Sequence, residues 1–450
     1  MIEKKLQDKV ITRASELISF PSETPFGENK EEKFKACADA LDYLENILKE
    51  MGAETKRMTF EGGHEKWDYA VENLYAEIEI GKYNKKDPFL VYMGHIDVVP
   101  VGDEKLWTYP PFKATQENGY IYGRGATDMK SSVSTFITSI EEIIKEQALA
   151  NNNCKIGFII TADEEWAAVN GSKKVLEYIK EQKMNPTAFI VGEPSSPDYL
   201  QDFIKVGRRG SLIGSVTVDG IQGHRAYKEL YLNPNRALNF AIMILNDLRW
   251  NDGNEFLPST DFEVVSIASG SENATAVIPA QAKAVFGIRY TDRTTKHELE
   301  KLLNDYLKNV PKEYQNHKDY HHYKEMYEKG NVNLVCNLST ASIPYFSEPA
   351  SLAQSAKEVM HNTLGKNPTL DSSGGTTDAR FVHSYFPNAQ IIELGVPEKG
   401  GVVGDMPNNY GTKGGMHQID ESVAVEDLLN LFEIYKQTTI NYIKKENNNG

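Results

Sequence analysis

Apolar residues at helical spacing supply the first readable pattern. Phe34, Ala38, Leu41, Leu44 and Leu48 recur every three or four positions, which predicts a helix over 31–51 with Gly52 where a C-cap belongs. Short apolar runs follow at 73–80 (NLYAEIEI), 89–93 (FLVYM), 155–160 (KIGFII) and 187–191 (TAFIV), each of strand length. Between two of them, Val133, Phe136, Ile137, Ile140 and Ile144 predict a helix over 131–147. Strands alternating with helices imply an α/β sheet, where functional residues gather in loops beyond the strand ends.

Near residue 210 the period changes. LIGSVTVD (212–219) and AKAVFGIRY (282–290) alternate as half-buried strands do. Amphipathic helices are expected over 236–249 (Ala237, Leu238, Ala241, Ile242, Leu245, Leu248) and 296–308, so two helices on one face of a small antiparallel sheet is the economical reading. After about 339 the α/β pattern returns, with a helix over 348–363, a strand at 389–395 and a closing helix from 421 to about 443. The fold class is therefore α/β. A mixed sheet flanked by helices (1–209 and 339–450) is interrupted by an inserted α+β domain (210–338). No internal repeat is present. The polar, Tyr/His-rich segment 311–330 and the glycine-rich stretch 398–415 read as surface additions, and the ending KKENNNG is expected to fray.

Composition narrows the function. The 450 residues carry 49 Lys and Arg against 64 Asp and Glu, a net charge of −15, which argues against a general nucleic-acid binder. Positive contacts to an anionic substrate would have to be local arginines working against that field. Three scattered cysteines, Cys37, Cys154 and Cys336, make no disulfide framework and fit a reducing compartment. The opening MIEKKLQDKV lacks a signal-peptide core and no run approaches the ~18 apolar residues of a membrane span, so a soluble, cytoplasmic protein is expected, with no membrane partner.

Candidate chemistry lies past the strands. His95 and Asp97 (MGHIDVVP) follow 89–93, Asp128 (GRGATDMK) precedes a helix, Glu164 and Glu165 (TADEEW) follow 155–160, Glu193 (VGEPSS) follows 187–191, and His417 (GGMHQIDE) precedes the last helix. Taken singly, an H-x-D or a pair of glutamates is an ordinary surface feature. Carboxylates and imidazoles converging from successive strand ends are what hard or borderline metal ions need.

HIDVVPVGDEKLW, YGRGATDMK, TADEE, GEPSS and the late HQIDE resemble the co-catalytic zinc aminoacylase and peptidase superfamily. VGRRGSL (206–212), GIQGHRAYKELYLNP (220–234), WNDGNEFLPST (250–260) and SSGGTTDARF (372–381) are similar to its desuccinylase family, which acts in bacterial lysine and diaminopimelate biosynthesis. The resemblance runs from the first helix to the last, with gaps at the two additions. It implies a zinc-hydrolase catalytic domain carrying an inserted dimerisation, or lid, domain, a homodimer, and two Zn2+ per subunit for which Co2+ can substitute. One ion would be held by His95 and Glu193, the other by Glu165 and His417, with Asp128 bridging and Asp97 orienting His95. Glu164 would act as general base and then acid for a zinc-activated water. His224, whose own setting reads as a hydrogen-bonded histidine at a strand–loop junction, would reach the neighbouring subunit's site and stabilise the oxyanion.

In AKAVFGIRY the alternation places Ala282, Ala284, Phe286 and Ile288 on one face and Arg289 on the other. The resemblance implies that Arg208, Arg289 and Arg380 contact substrate carboxylates, and that Gly375 and Thr376 offer backbone or hydroxyl groups. The implied substrate is a small anionic N-acyl amino acid, N-succinyl-LL-2,6-diaminopimelate, cleaved to succinate and LL-2,6-diaminopimelate. Three departures stand out: Asn273 is displaced in ENATAVIP, Lys228 replaces a usual proline, and the stretch before His417 is long. His317, His321 and His322 receive no function. An acetylornithine deacetylase, another aminoacylase or a dipeptidase would share the metal set. A non-catalytic dimeric binding protein would have no use for Glu164.

Overall fold

Strand Phe89–His95 is buried along its whole length and lies near the middle of an eight-stranded sheet. The computed structural model describes residues 2–25, 29–62, 69–400 and 414–449. These divide into two compact units: one built from the chain up to Val206, Ser347–Asp371 and Thr377 onward, the other from Gly207–Phe346 and Ser372–Thr376.

In the first unit the strand order is Glu54–Phe60, Val71–Ile80, Cys154–Thr161, Phe89–His95, Ala188–Val191, Gln390–Glu393, Phe203–Lys205, Thr369–Asp371. Phe89–His95 pairs in parallel with both neighbours, while Val71–Ile80 is antiparallel to Cys154–Thr161, so the sheet is mixed. Parallel central strands must be covered on both faces, which is why they read as unbroken apolar runs. Tyr92 stacks on Phe136 of helix Lys130–Lys145, centroids 4.2 Å apart, and Tyr435 of helix Val425–Asn449 closes on the same ring. Phe189 lies against Phe386, just beyond helix Ala379–Tyr385. Among the described residues no helix is long and apolar enough to cross a membrane.

The second unit holds a four-stranded antiparallel sheet in the order Asp261–Ser269, Gln281–Tyr290, Gly210–Asp219, Val332–Cys336. Ala282, Ala284, Phe286 and Ile288 are buried as the alternation requires, and helices Pro234–Asn246 and Lys296–Lys308 contribute to the same core. The second helix begins at a Thr295/Glu298 capping box.

Three details differ from the sequence expectations. The segment 311–330 is no mere surface addition: helix Tyr320–Glu328 buries Tyr323 and Met326, and the Tyr323 hydroxyl donates to Leu307 O at 2.7 Å. Tyr320, Tyr323 and Tyr327 stand at helical spacing, a signal that a polar average over the segment conceals. The closing element begins as a short strand, Ser422–Ala424, paired with Tyr120–Tyr122, before its helix starts at Val425. That helix continues to Asn449, through residues expected to fray. Of the stretch 398–415, residues 401–413 lie outside the described residues.

Tyr323→Ala should lower the unfolding free energy by about 3–5 kcal/mol, the usual cost of emptying a buried aromatic site. His321→Ala, on the exposed side of the same helix, should stay within about 0.5 kcal/mol of wild type. Denaturant titration of both variants decides; equal midpoints would remove the segment from the core.

Candidate metal centre

The seven acidic and imidazole groups singled out past the strands all fall in the first unit, and the structure brings them to one place. His95 ends its strand, and its Nδ1 lies 2.8 Å from Asp97 O. A carbonyl can only accept, so Nδ1 carries the hydrogen and Nε2 points onward. Nε2 is 3.0 Å from Asp128 Oδ1 and 3.9 Å from Glu193 Oε1. Across Asp128, His417 Nε2 is 3.3 Å from Oδ2 and 2.9 Å from Glu165 Oε1. Two triads result, His95–Asp128–Glu193 and Asp128–Glu165–His417, each with its donor atoms within 4.8 Å of one another and sharing Asp128.

Local structure explains the placement. Glu193 follows strand Ala188–Val191 through Gly192, where a Cβ would come within 1.9 Å of the Tyr92 hydroxyl. Only glycine lets the chain pass there. The Asp97 carboxylate faces the next loop: it accepts the Glu164 N–H at 3.2 Å and the Glu165 N–H at 3.0 Å. The contact to His95 is thus made at 2.8 Å by the Asp97 backbone, with its carboxylate farther off at 3.7 Å. Asp163 braces the same loop by accepting from the Tyr69 hydroxyl and from the N–H groups of Val169 and Asn170.

The electrostatics are those of a site short of positive charge. Burial lifts the Asp97 carboxyl to about 7, although the His95 charge opposes it. Burial, with Glu193 and Asp378 nearby, holds Glu164 well above the usual carboxylate range. Burial raises Glu193 as well, with Asp128 adding to it. Burial works against charge on His95, but Asp128, Glu193 and Asp97 outweigh it and raise the imidazole's proton affinity well above its ordinary value. Hydrogen bonds with Asp128 and Glu165 lift His417 to about 10. Divalent cations would relieve this crowding, and two imidazoles with three carboxylates suit borderline ions such as zinc. The residues present fit such ions.

The residues expected to meet substrate fall in both units. Arg380 lies in the first, at the start of helix Ala379–Tyr385, with Nη2 3.5 Å from Asp378 Oδ1. Arg208 is buried in the second and donates to Ser373 O at 2.9 Å, in the segment that carries Gly375 and Thr376. Arg289 lies opposite Ser211 and Asp261 in the sheet, and burial, with Arg209 beside it, lowers its proton affinity. His224 sits on a short strand paired with Val277–Ile278, its ring against Tyr227. Asn273 is exposed, before that second strand.

Three site residues escaped the sequence reading. Asp378 is buried, and burial raises its carboxyl to about 6. Arg124 and Glu421 form a buried ion pair at 2.5 Å. All three stand inside motifs already singled out, SSGGTTDARF, YGRGATDMK and HQIDE. Nothing in those motifs by themselves separates a ligand from its support.

The model of peptidase family M20/M25/M40 matches residues 91–441. A succinyl-diaminopimelate desuccinylase from Psychrobacter arcticus is 33% identical over 442 residues, covering 97% of this chain and 95% of that protein. An M20 family metallo-carboxypeptidase from Sulfolobus solfataricus aligns with a TM-score of 0.66 at 18% identity, covering 97% of this chain and 100% of that one. A dinuclear metal-binding peptidase of the M20 family from Bacillus subtilis aligns at 0.60 and 15%, covering 98% and 99%. At such identities the two solved structures speak for the fold.

Two divalent ions per chain should bind at saturation, and His417→Ala should leave one, as counted by metal analysis after dialysis. An ion at the His417 triad must displace a proton held with a pKa of about 10. Its affinity should therefore rise about tenfold per pH unit over roughly pH 6–9. Affinity independent of pH, or metal content unchanged by His417→Ala, would remove His417 as a ligand.

Proposed function

The chain belongs to peptidase family M20/M25/M40, and from that premise we propose that it is a homodimeric zinc amidohydrolase cleaving N-succinyl-LL-2,6-diaminopimelate. The observation that carries the hydrolytic reading is Glu164, a carboxylate with raised proton affinity that belongs to neither triad yet stands beside both. The 33% identity to a desuccinylase across almost the whole chain supports the substrate, as do Arg208, Arg289 and Arg380 in an acidic protein.

Bound at the triads, two zinc ions, with cobalt as a substitute, would polarise the scissile carbonyl and lower the pKa of water toward neutrality. The chain's own groups do the rest. Asp97 holds the Glu164 main chain, fixing where that carboxylate starts. Glu164 takes the proton of the attacking water and returns it to the departing amine, the transfer its raised proton affinity suits. Arginine forks at the substrate carboxylates fix its register.

The second unit supplies the reason for a dimer. Its edge strand Asp261–Ser269 exposes Val265 and Ile267, at 70% and 58%, and Ile221, Tyr227 and Leu230 are exposed near His224. Apolar surface of this kind beside an open strand edge suits a second copy of the chain. We assign the second unit to dimerisation and His224 to the neighbouring subunit's site, as an oxyanion donor.

Zinc-loaded protein should hydrolyse N-succinyl-diaminopimelate with a kcat/KM at least about tenfold above N-acetylornithine or a dipeptide. A preference for either of those would transfer the chain to that activity. Glu164→Gln should keep its metal while kcat falls by ~10² or more; near-normal turnover would mean that another group moves the proton.

Mixing inactive His224→Ala and Glu164→Gln proteins tests the dimer. If His224 acts across it, each mixed dimer contains one intact site. Random exchange makes about half the dimers mixed, so activity should approach about a quarter of wild type. No recovery after demonstrated exchange would confine His224 to its own subunit.

A further inference from the structure

The two histidines of the centre are held by unequal means. His95 is the last residue of a fully buried strand, and Glu193 follows another. His417 lies in a loop with a left-handed φ of 62°, and its side chain is 46% exposed. Beneath that loop lies the Arg124–Glu421 ion pair, with Arg124 2% and Glu421 0% exposed.

One oxygen of Glu421, Oε1, accepts the main-chain N–H groups of Gly125, Thr127 and Asp128 at 3.1, 2.9 and 3.0 Å. Three donors converging on one carboxylate oxygen fix the turn that presents the Asp128 side chain. The other oxygen takes Arg124 Nη1, and the same guanidinium donates to the carbonyls of Gln418 at 3.1 Å and His417 at 3.5 Å. The pair therefore ties the main chain of one ligand, Asp128, to that of another, His417, 289 positions apart by subtraction of their numbers. A guanidinium can do this because its donors diverge in one plane; an ammonium cannot hold a carboxylate and two carbonyls in the same fork.

We infer that Arg124 and Glu421 are positioning residues that set the spacing of Asp128 and His417, so that capture of the ion at the Asp128–Glu165–His417 triad depends on them. The inference rests on the two-metal reading. The His95–Asp128–Glu193 triad depends on the pair less, because two of its three donors are fixed by strand ends.

The test counts and weighs metal in Arg124→Lys and Glu421→Gln. Cobalt is titrated into the full chain, followed by calorimetry and by the visible absorption of the bound ion, with thermal melting as a check on folding. In both variants one ion should bind nearly as in wild type, while the other weakens by about 10–100-fold, the usual effect of losing a partner behind a metal ligand. Arg124→Lys keeps the charge of the pair and loses only the fork, so its melting should stay near wild type. Equal weakening of both ions, no weakening of either, or failure of both variants to fold would overturn the inference and leave the pair a structural one. Wild-type protein binding fewer than two ions would instead overturn the two-metal reading beneath it, and that result is recognised by appearing without any substitution.

Discussion

Asp128 has two imidazoles to satisfy at once, His95 at one carboxylate oxygen and His417 at the other. A carboxylate that serves two sites must be held by its main chain, because its side chain has no remaining freedom to adjust. The surrounding structure meets that demand from two directions. Helix Lys130–Lys145, anchored through Phe136 on Tyr92, begins two residues later, and the Glu421 carboxylate holds the turn from below. The sheet then delivers His95 and Glu193 to one triad around Asp128, and the loop after Cys154–Thr161 delivers Glu165 to the other. An error of one residue in any of these connections would leave a buried carboxylate without a counter-charge, a far larger cost than a surface mismatch.

The same constraint explains what could be read in advance. Buried parallel strands announce themselves as apolar runs, so FLVYM, KIGFII and TAFIV pointed to His95, Glu164, Glu165 and Glu193 as candidates at their ends, and the fold gathers these groups in one place. The mixed α/β fold was legible for that reason. Short edge strands such as Glu54–Phe60 were not, because one covered face and one wet face leave no continuous run. The helix Tyr320–Glu328 was hidden by composition: two buried side chains, with Tyr320 and Tyr327 half-buried beside them, suffice to dock nine residues whose remainder is polar. Supporting residues were the least legible part of the site. Glu421 and Arg124 look like any acid and base in a motif, and their role exists only once residues 124 and 421 are brought within hydrogen-bonding distance.

The second unit follows a different rule. Its sheet is amphipathic by simple alternation, with Leu212, Val216, Val218 and the even-numbered residues of 282–288 turned to the helices. Such a sheet needs no partner for the covered face. The apolar residues that remain exposed, Ile213, Val265, Ile267 and Val335, are therefore not demanded by its own folding. Their retention on the sheet and its edge is a cost in solubility, which an interface between copies would remove.

The chain's charge carries the last step. A net charge of −15 repels an anionic substrate at long range, so recognition by such a protein cannot rely on steering. It must rely on short-range forks that are already in place. On the proposed reading Arg208 would meet that requirement: it is buried and braced on Ser373 O, so little side-chain freedom would be lost on binding. Burial of Arg289 would work in the same sense, for a guanidinium stripped of part of its water would interact more strongly with a carboxylate that displaces the rest. Excess acid within the metal site follows the opposite logic. There burial, with neighbouring carboxylates adding to it, raises the proton affinity of Glu164 and Glu193, a condition that divalent cations would relieve. Glu164, which belongs to neither triad, shares that raised proton affinity, the property the proposed proton transfer would use.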